Sequence, residues 1–192
     1  MKKRKTMIAA IVLLLVFIVG RAIAYFTDTK TTTNTFTIGH VSITLSEPSW
    51  VAANGQGVVP GETIAKDPTV TVDTGSEDAY IFVKVGVPCK ADNSTELFTY
   101  TLNSGWAVVT GYNGTCTNGV AEKVYAYGSL TAVSAGSANA VTVFDNVTLV
   151  SLTASEAANL TGSINMPVTA YAIQADGLGS SDPATVYGYI NS

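Results

Sequence analysis

The chain holds one histidine, His40, and that count limits the chemistry open to it. A zinc hydrolase takes about three protein ligands, usually histidines with a carboxylate, and a general base. No H-E-x-x-H is present, and no G-x-S-x-G. A Ser-His-Asp relay would have to run through His40. That residue reads as a solvent-facing histidine on a strand edge, and no catalytic residue is assigned. Acids are the other candidates. Asp73, Glu77 and Asp78 surround a Gly75-Ser76 turn, and Asp176 and Asp182 flank Gly177-Leu178-Gly179. Carboxylates of this kind supply the oxygen ligands that Ca²⁺ takes. Asp73, Glu77 and Asp78 are therefore the candidate metal ligands. Neither loop has the EF-hand spacing, a solvated acidic turn is the commoner outcome, and no cofactor is expected. A carboxylate pair for glycoside hydrolysis depends on a separation that only the fold sets. Cys89 and Cys116 form no C-x-x-C, which argues against redox catalysis. As an even pair in an exported chain they suggest a disulfide, closing 26 intervening residues for about 3 kcal/mol of loop entropy.

Export itself is read from the first residues. Met1–Lys5 is the basic MKKRK, and Met7–Gly20 is fourteen residues without charge. Arg21 ends that run, and Ala22-Ile23-Ala24 puts small residues where a signal peptidase inspects them. The pattern predicts a signal peptide over 1–24, cut between Ala24 and Tyr25. The apolar run falls short of the roughly 20 residues that span a bilayer as a helix. The membrane is then a partner only through this segment, before cleavage. What remains has five lysines against fourteen acids, a net charge of −9. No basic stripe survives, and nucleic acid is not an expected partner. Sequons at Asn93, Asn113, Asn146 and Asn159 matter only in a host that N-glycosylates.

The elements that must position these residues are strands. Apolar residues make up 47% of the chain and charged ones 12%, and Thr, Val, Ala, Gly and Tyr dominate after the signal. Ala79, Ile81, Val83, Val85 and Val87 form the clearest buried face, with Tyr80, Phe82 and Lys84 behind it. Val41–Leu45, Val70 and Val72, Lys123–Tyr127, Val141–Phe144, Val147–Leu152 and Ile164–Ala175 alternate similarly. Leu97–Leu102 and Trp106–Val109 read as a hairpin across Asn103-Ser104-Gly105, and Asn118-Gly119 is a turn. Thr153 with Glu156 resembles a capping box, and Asp182-Pro183 caps a last helix. The expectation is an all-β, jelly-roll-like β-sandwich with one or two short helices, occupying 39–192 as a single domain. A signal peptide and an extended N-terminal arm precede it.

That arm is residues 25–38. Phe26, Phe36 and Ile38 share one parity, and Val41, Ile43 and Leu45 the other. Side chains alternate strictly along a strand, so one strand cannot bury both sets on one face. The phase breaks at Gly39-His40, where glycine permits a bend. Alone, the aromatic-ended, threonine-rich arm buries too little to order itself. It reads either as a frayed terminus or as a strand for an open sheet edge.

At these residues the chain resembles the TasA/camelysin family of secreted proteins, whose signal peptides are cut by a dedicated peptidase, SipW. The likeness rests on Ala24-Tyr25-Phe26-Thr27-Asp28, on Thr35-Phe36, on Gly39, and on Val41–Leu45. It continues in Val59-Pro60-Gly61-Glu62 through Lys66-Asp67, and in Met166–Asp176. It covers about half the chain and leaves out the middle, Cys89 and Cys116 included. The resemblance implies a jelly roll that polymerises into fibres of a biofilm matrix. Each mature N-terminal arm enters the sheet of the next subunit, a head-to-tail contact that does not close. It places the protein outside a bacterium, Gram-positive by expectation, in the matrix or on the cell surface. Its partners are then copies of itself, the signal peptidase and accessory matrix proteins. Tyr25, Phe26, Thr35 and Phe36 are the arm residues expected to carry the contact, with Gly39 as hinge. Two other readings stand beside this one. The first is a camelysin-like metal-dependent endopeptidase. The second is a monomeric glycan-binding module with Trp50, Trp106, Tyr100, Tyr112 and Tyr125 on one exposed face.

Overall fold

Strands bury one face when apolar residues alternate and both faces when the apolar run is nearly unbroken. The structure, a computed structural model, describes residues 40–160 and 164–191. The signal segment, the arm and Gly39 lie outside the described residues, and so do Ala22, Ala24, Tyr25, Phe26, Thr35 and Phe36. Ten strands appear among the described residues: β1 (Ile43–Ser46), β2 (Thr63–Ala65), β3 (Thr69–Val72), β4 (Ala79–Pro88), β5 (Phe98–Thr99), β6 (Trp106–Asn113), β7 (Val120–Tyr127), β8 (Val141–Thr142), β9 (Asn146–Leu149) and β10 (Val168–Gln174). Two short α-helices join them, α1 (Ala154–Asn159) and α2 (Pro183–Ile190). Every strand pairing is antiparallel. The fold is all-β with short helices, the class its alternation implies.

One layer is the sheet β10-β4-β7-β6. The other is built from two smaller sheets, β1-β3-β8 and β2-β9-β5. These two share a register. Thr63 lies opposite Thr148 and Val70 opposite Val141, with no slip between them. The Lys66 N–H donates to the Asp145 carbonyl at 3.1 Å, and the Val143 N–H to the Pro68 carbonyl at 2.9 Å, filling the interval. β2 and β3 are thus one long strand broken at Pro68, which has no N–H to give the ladder. It runs beside β8 and β9, while β1 flanks β3 and β5 flanks β9.

The two layers close on one core. Ile81, Val83, Val85 and Val87 of β4 meet Ile64, Val70, Val72, Val143 and Val147 of the opposite layer. Phe82, on the back of β4, is also fully buried. α2 covers it: Val186 and Tyr187 pack there with Val124, Ala126 and Val109. Asp182 holds that helix in place by accepting from the Thr185 N–H at 2.9 Å, and Pro183 opens it. α1 begins in a capping box in which Thr153 and Glu156 satisfy each other's backbone N–H groups.

Two expectations are corrected. Leu97–Leu102 and Trp106–Val109 do not pair. β5 joins β9 and β6 joins β7, so the chain crosses between layers at Asn103-Ser104-Gly105. The five aromatic residues do not share an exposed face either. Trp106 and Tyr125 are buried in the inter-sheet core, and Tyr112 packs on the far side of the sheet under α2. No described helix is long and apolar enough to cross a membrane.

Candidate functional site: an open strand position beside β2

The start of β1 is pinned by an acidic turn. Ser42 Oγ donates to the Asp73 carboxylate at 2.6 Å and Thr44 Oγ1 at 2.8 Å. These two hydroxyls, Ser42 first, hold the Asp73 carboxyl below its usual range. Ser76 Oγ accepts the Ser42 N–H at 3.0 Å and donates back to the Ser42 carbonyl at 3.1 Å. The Glu77 N–H donates to the His40 carbonyl at 3.1 Å. The Asp78 carbonyl accepts the Ala175 N–H at 2.8 Å. In this arrangement Asp73 binds strand hydroxyls, while Glu77 and Asp78 contribute backbone groups. Among the described residues no group of three or more His, Cys, Asp or Glu side chains is placed to hold a metal ion.

β1 stops at Ser46, opposite Thr69. The chain then turns out through Glu47-Pro48-Ser49; among the described residues no strand pairs with β2 on the side away from β9, and the short turn Ala52–Gly55 contacts β2. The hydrogen bonds from Leu149 N–H to the Glu62 carbonyl and from Lys66 N–H to Asp145 show which residues serve β9. They are Glu62 and Lys66. Backbone groups alternate in direction along an antiparallel strand, so Thr63 and Ala65 aim theirs at the unpaired side.

A groove of about 890 Å³ opens on the inward face of β2, β9 and β5. Ile64, Phe98, Val147 and Leu149 line it from the sheet, and Trp50 and Val58 from the segment between β1 and β2. Leu160, Ile164 and Met166, from the stretch before β10, complete its apolar lining. One ion pair sits in it: Lys66 Nζ is 2.6 Å from Glu47 Oε1 and 5.6 Å from the centre of the Trp50 ring. Four of the large apolar side chains left exposed belong to this rim. Trp50 (37%) and Ile164 (39%) line the groove, and Val51 (54%) and Val59 (58%) adjoin its lining. Exposed apolar area concentrated in one place marks a contact surface. The sequence patterns did not single out this groove. Its local signals are the stretches Val59–Asp67, which contains β2, and Met166–Asp176, whose first two residues line it.

Away from the groove, Cys89 and Cys116 are joined in a disulfide, with Cα atoms 5.9 Å apart. The bridge ties the end of β4 to the loop between β6 and β7. Tyr100 and Tyr125 share a hydrogen bond of 2.6 Å between their hydroxyls, and burial raises both above the ordinary phenol range. This pair packs against Phe144 as part of the core. His40 is exposed at the first described position. It stands beside the turn that pins β1, away from the groove's lining.

Residues 1–94 match the model of the camelysin metallo-endopeptidase family, a span that includes β1 to β4 and the whole outer edge of β2. No curated protein and no solved structure matched the chain in these comparisons.

Proposed function

We propose, from the premise that residues 1–94 belong to the camelysin family, that this chain is an exported structural subunit. It polymerises into extracellular fibres by lending its N-terminal arm to a neighbouring copy. Cleavage between Ala24 and Tyr25 by a dedicated signal peptidase frees the arm, and before that step residues 1–24 hold the chain at the membrane. The fibres belong to the matrix or surface of a bacterium, where accessory matrix proteins are further partners.

One observation carries this reading. The strand into which the arm runs is an edge strand with a fixed root. Asp73, Ser76 and Glu77 all bind the segment His40–Thr44, so whatever precedes it departs from a set point. A long polar segment rooted at a sheet edge, with aromatic residues at both ends, suits pairing with another sheet. Because each copy gives and receives through different surfaces, the contact repeats as a filament.

Electron microscopy of the protein with Tyr25 freshly exposed tests it. Filaments are expected from that form. They should be absent from a form lacking Tyr25–Ile38, whose circular dichroism stays β-rich. The same filaments from the shortened form would show that the arm is not the connector.

The name of the matched family favours a second reading, a metal-dependent endopeptidase. Casein digestion by the pure protein, with and without chelator, tests it. Chelator-sensitive cleavage that survives His40→Ala would point to carboxylate ligands. No cleavage at all would remove the support for this reading.

A further inference from the structure

A second recess lies on the outward face of β5 and β9, behind the groove, and we infer that it binds a neutral polysaccharide, with Asn103 and Asp145 as the pair that reads two neighbouring sugar hydroxyls. This goes beyond the fibre reading and does not depend on it, because a single subunit carries the whole recess.

The recess holds about 370 Å³, within the roughly 300–1,000 Å³ of small-ligand sites. Alternation puts its lining on the outside of the layer. Phe98, Tyr100 and Leu102 pack against the core, so Thr99, Thr101 and Asn103 face out. Val147 and Leu149 are buried, which turns Asn146 and Thr148 outward beside them. Thr99 and Thr148 are direct cross-strand partners. At one end Asn103 Nδ2 donates to Asp145 Oδ1 at 2.9 Å. The backbone beneath both residues is fixed. The Asn103 N–H donates to the Val143 carbonyl at 2.8 Å, and the Asp145 carbonyl accepts the Lys66 N–H at 3.1 Å. The pair is therefore set before a ligand arrives, which spares an ordering cost on binding.

The chemistry of the lining narrows the ligand. Asp145 spends one carboxylate oxygen on Asn103 and can accept through the other, while the Asn103 amide keeps a second N–H and its carbonyl. Side by side they match adjacent hydroxyls, each of which donates and accepts. Threonine hydroxyls and the Asn146 amide surround them with further donors and acceptors. Tyr100 also lines the recess, but its hydroxyl is held by Tyr125 at 2.6 Å. Among the described residues, none lining the recess carries a positive charge. The chain beyond residue 24 has five lysines against fourteen acids, so a polyanion is repelled. A single carboxylate among neutral groups does not make a cation site either. What fits is uncharged and dense in hydroxyls. The lining has no long charged side chain, and short polar ones lose less rotamer freedom than lysine or glutamate when a ligand covers them. The same short hydroxyls continue across the layer, with Thr63 and Thr148 bonded at 2.9 Å and Thr69 and Thr142 at 2.8 Å. That face can carry a chain of sugars past the recess.

The test is native electrophoresis of the mature chain in gels cast with dextran, galactomannan, a soluble β-glucan or, as the charged control, polygalacturonate. At least one neutral polymer is expected to retard the protein, and polygalacturonate is not. Asn103→Ala removes the amide and unties Asp145. It should weaken the retardation about tenfold, with circular dichroism unchanged. Thr101→Met fills the recess from an exposed position without adding charge. It should do the same, and serves if the Asn103 variant disturbs the turn that follows. Retardation by none of the neutral polymers, equal retardation by polygalacturonate, or retardation unmoved by both variants would overturn the assignment. Microscopy of the same samples separates this failure from that of the fibre reading. Filaments without retardation sink the recess and leave the fibre, and retardation without filaments does the reverse.

Discussion

Replacing both Cys89 and Cys116 by serine should destabilise the fold without changing it. The bridge spans a sequence separation of 27. Closing a loop of that size removes about 12 cal/mol/K from the unfolded chain, about 3.5 kcal/mol at room temperature. The folded side loses little, because other bonds hold the same region. The Cys89 N–H donates to the Gly119 carbonyl at 2.8 Å, and the Leu97 N–H to the Pro88 carbonyl at 2.7 Å. The Gly119 N–H donates to Asn93 Oδ1 at 2.7 Å. Asn118 and Gly119 also form a tight two-residue turn of their own, both with positive φ (52° and 86°). Urea unfolding followed by far-UV circular dichroism is the assay. With a slope of about 2 kcal/mol/M, the midpoint should fall by about 1.7 M. Near-UV spectra in buffer should coincide with those of the parent. A shift below about 0.5 M would mean that the unfolded chain is already constrained there. A variant unfolded in plain buffer would mean that the bridge holds the native fold itself. Either result refutes the account.

Two further outcomes are expected from other parts of the fold. Tyr187→Ala should cost about 3–5 kcal/mol, the range for deleting a buried aromatic ring. The residue is 1% exposed and packs on Phe82, Tyr112 and Tyr171, and chemical denaturation reads the loss. Glu156 makes the fold acid-sensitive. The Lys90 ammonium, then the Thr153 backbone and hydroxyl, push its carboxyl down from 4.5 to about 2. Its folded-state value lies below its unfolded one, so its contribution is complete above pH 4.5 and is lost as pH falls through about 2. Melting temperature against pH should therefore drop less steeply over that window in Glu156→Gln. Equal slopes would show that the Lys90 pair at 2.8 Å does not contribute.

Period and turn chemistry made several elements legible. The β4 face reads directly from Ala79, Ile81, Val83, Val85 and Val87, all of which are in the core. Both helix starts read from their caps. Pattern failed where the answer depended on which neighbour a strand takes. Asn103-Ser104-Gly105 has the chemistry of a hairpin turn, and Gly105 does take a positive φ of 91°. Yet the segments on either side of it go to different sheets, which local sequence does not encode. Phe82 reads as an outward residue on β4, and only α2, a hundred residues on, buries it. Leu45 shows the converse. It is in phase with Ile43 but 37% exposed, because it lies near the end of β1, an edge strand among the described residues.

That β2 lacks a strand partner on one side among the described residues was illegible for a deeper reason: it is where β1 stops, and no residue states an absence. Its cause can nevertheless be read once the structure is known. β1 could have run on beside β2, since the strand it accompanies continues in register to Thr63. A proline and two hydrogen-bonded contacts turn it out instead. Pro48 cannot give the ladder an N–H. The Trp50 N–H donates to the Glu47 carbonyl at 3.1 Å, closing a turn on that proline. The Ser49 N–H donates to both Asp67 carboxylate oxygens, at 2.9 and 3.1 Å. Glu47 then spends its own charge on Lys66 inside the groove, so the departing chain does not place an unpaired acid there. A strand merely too short to cover its partner would need none of these. The turn at Pro48 ends the pairing of β1 at Ser46 and directs the chain into the turn Ala52–Gly55, which contacts β2.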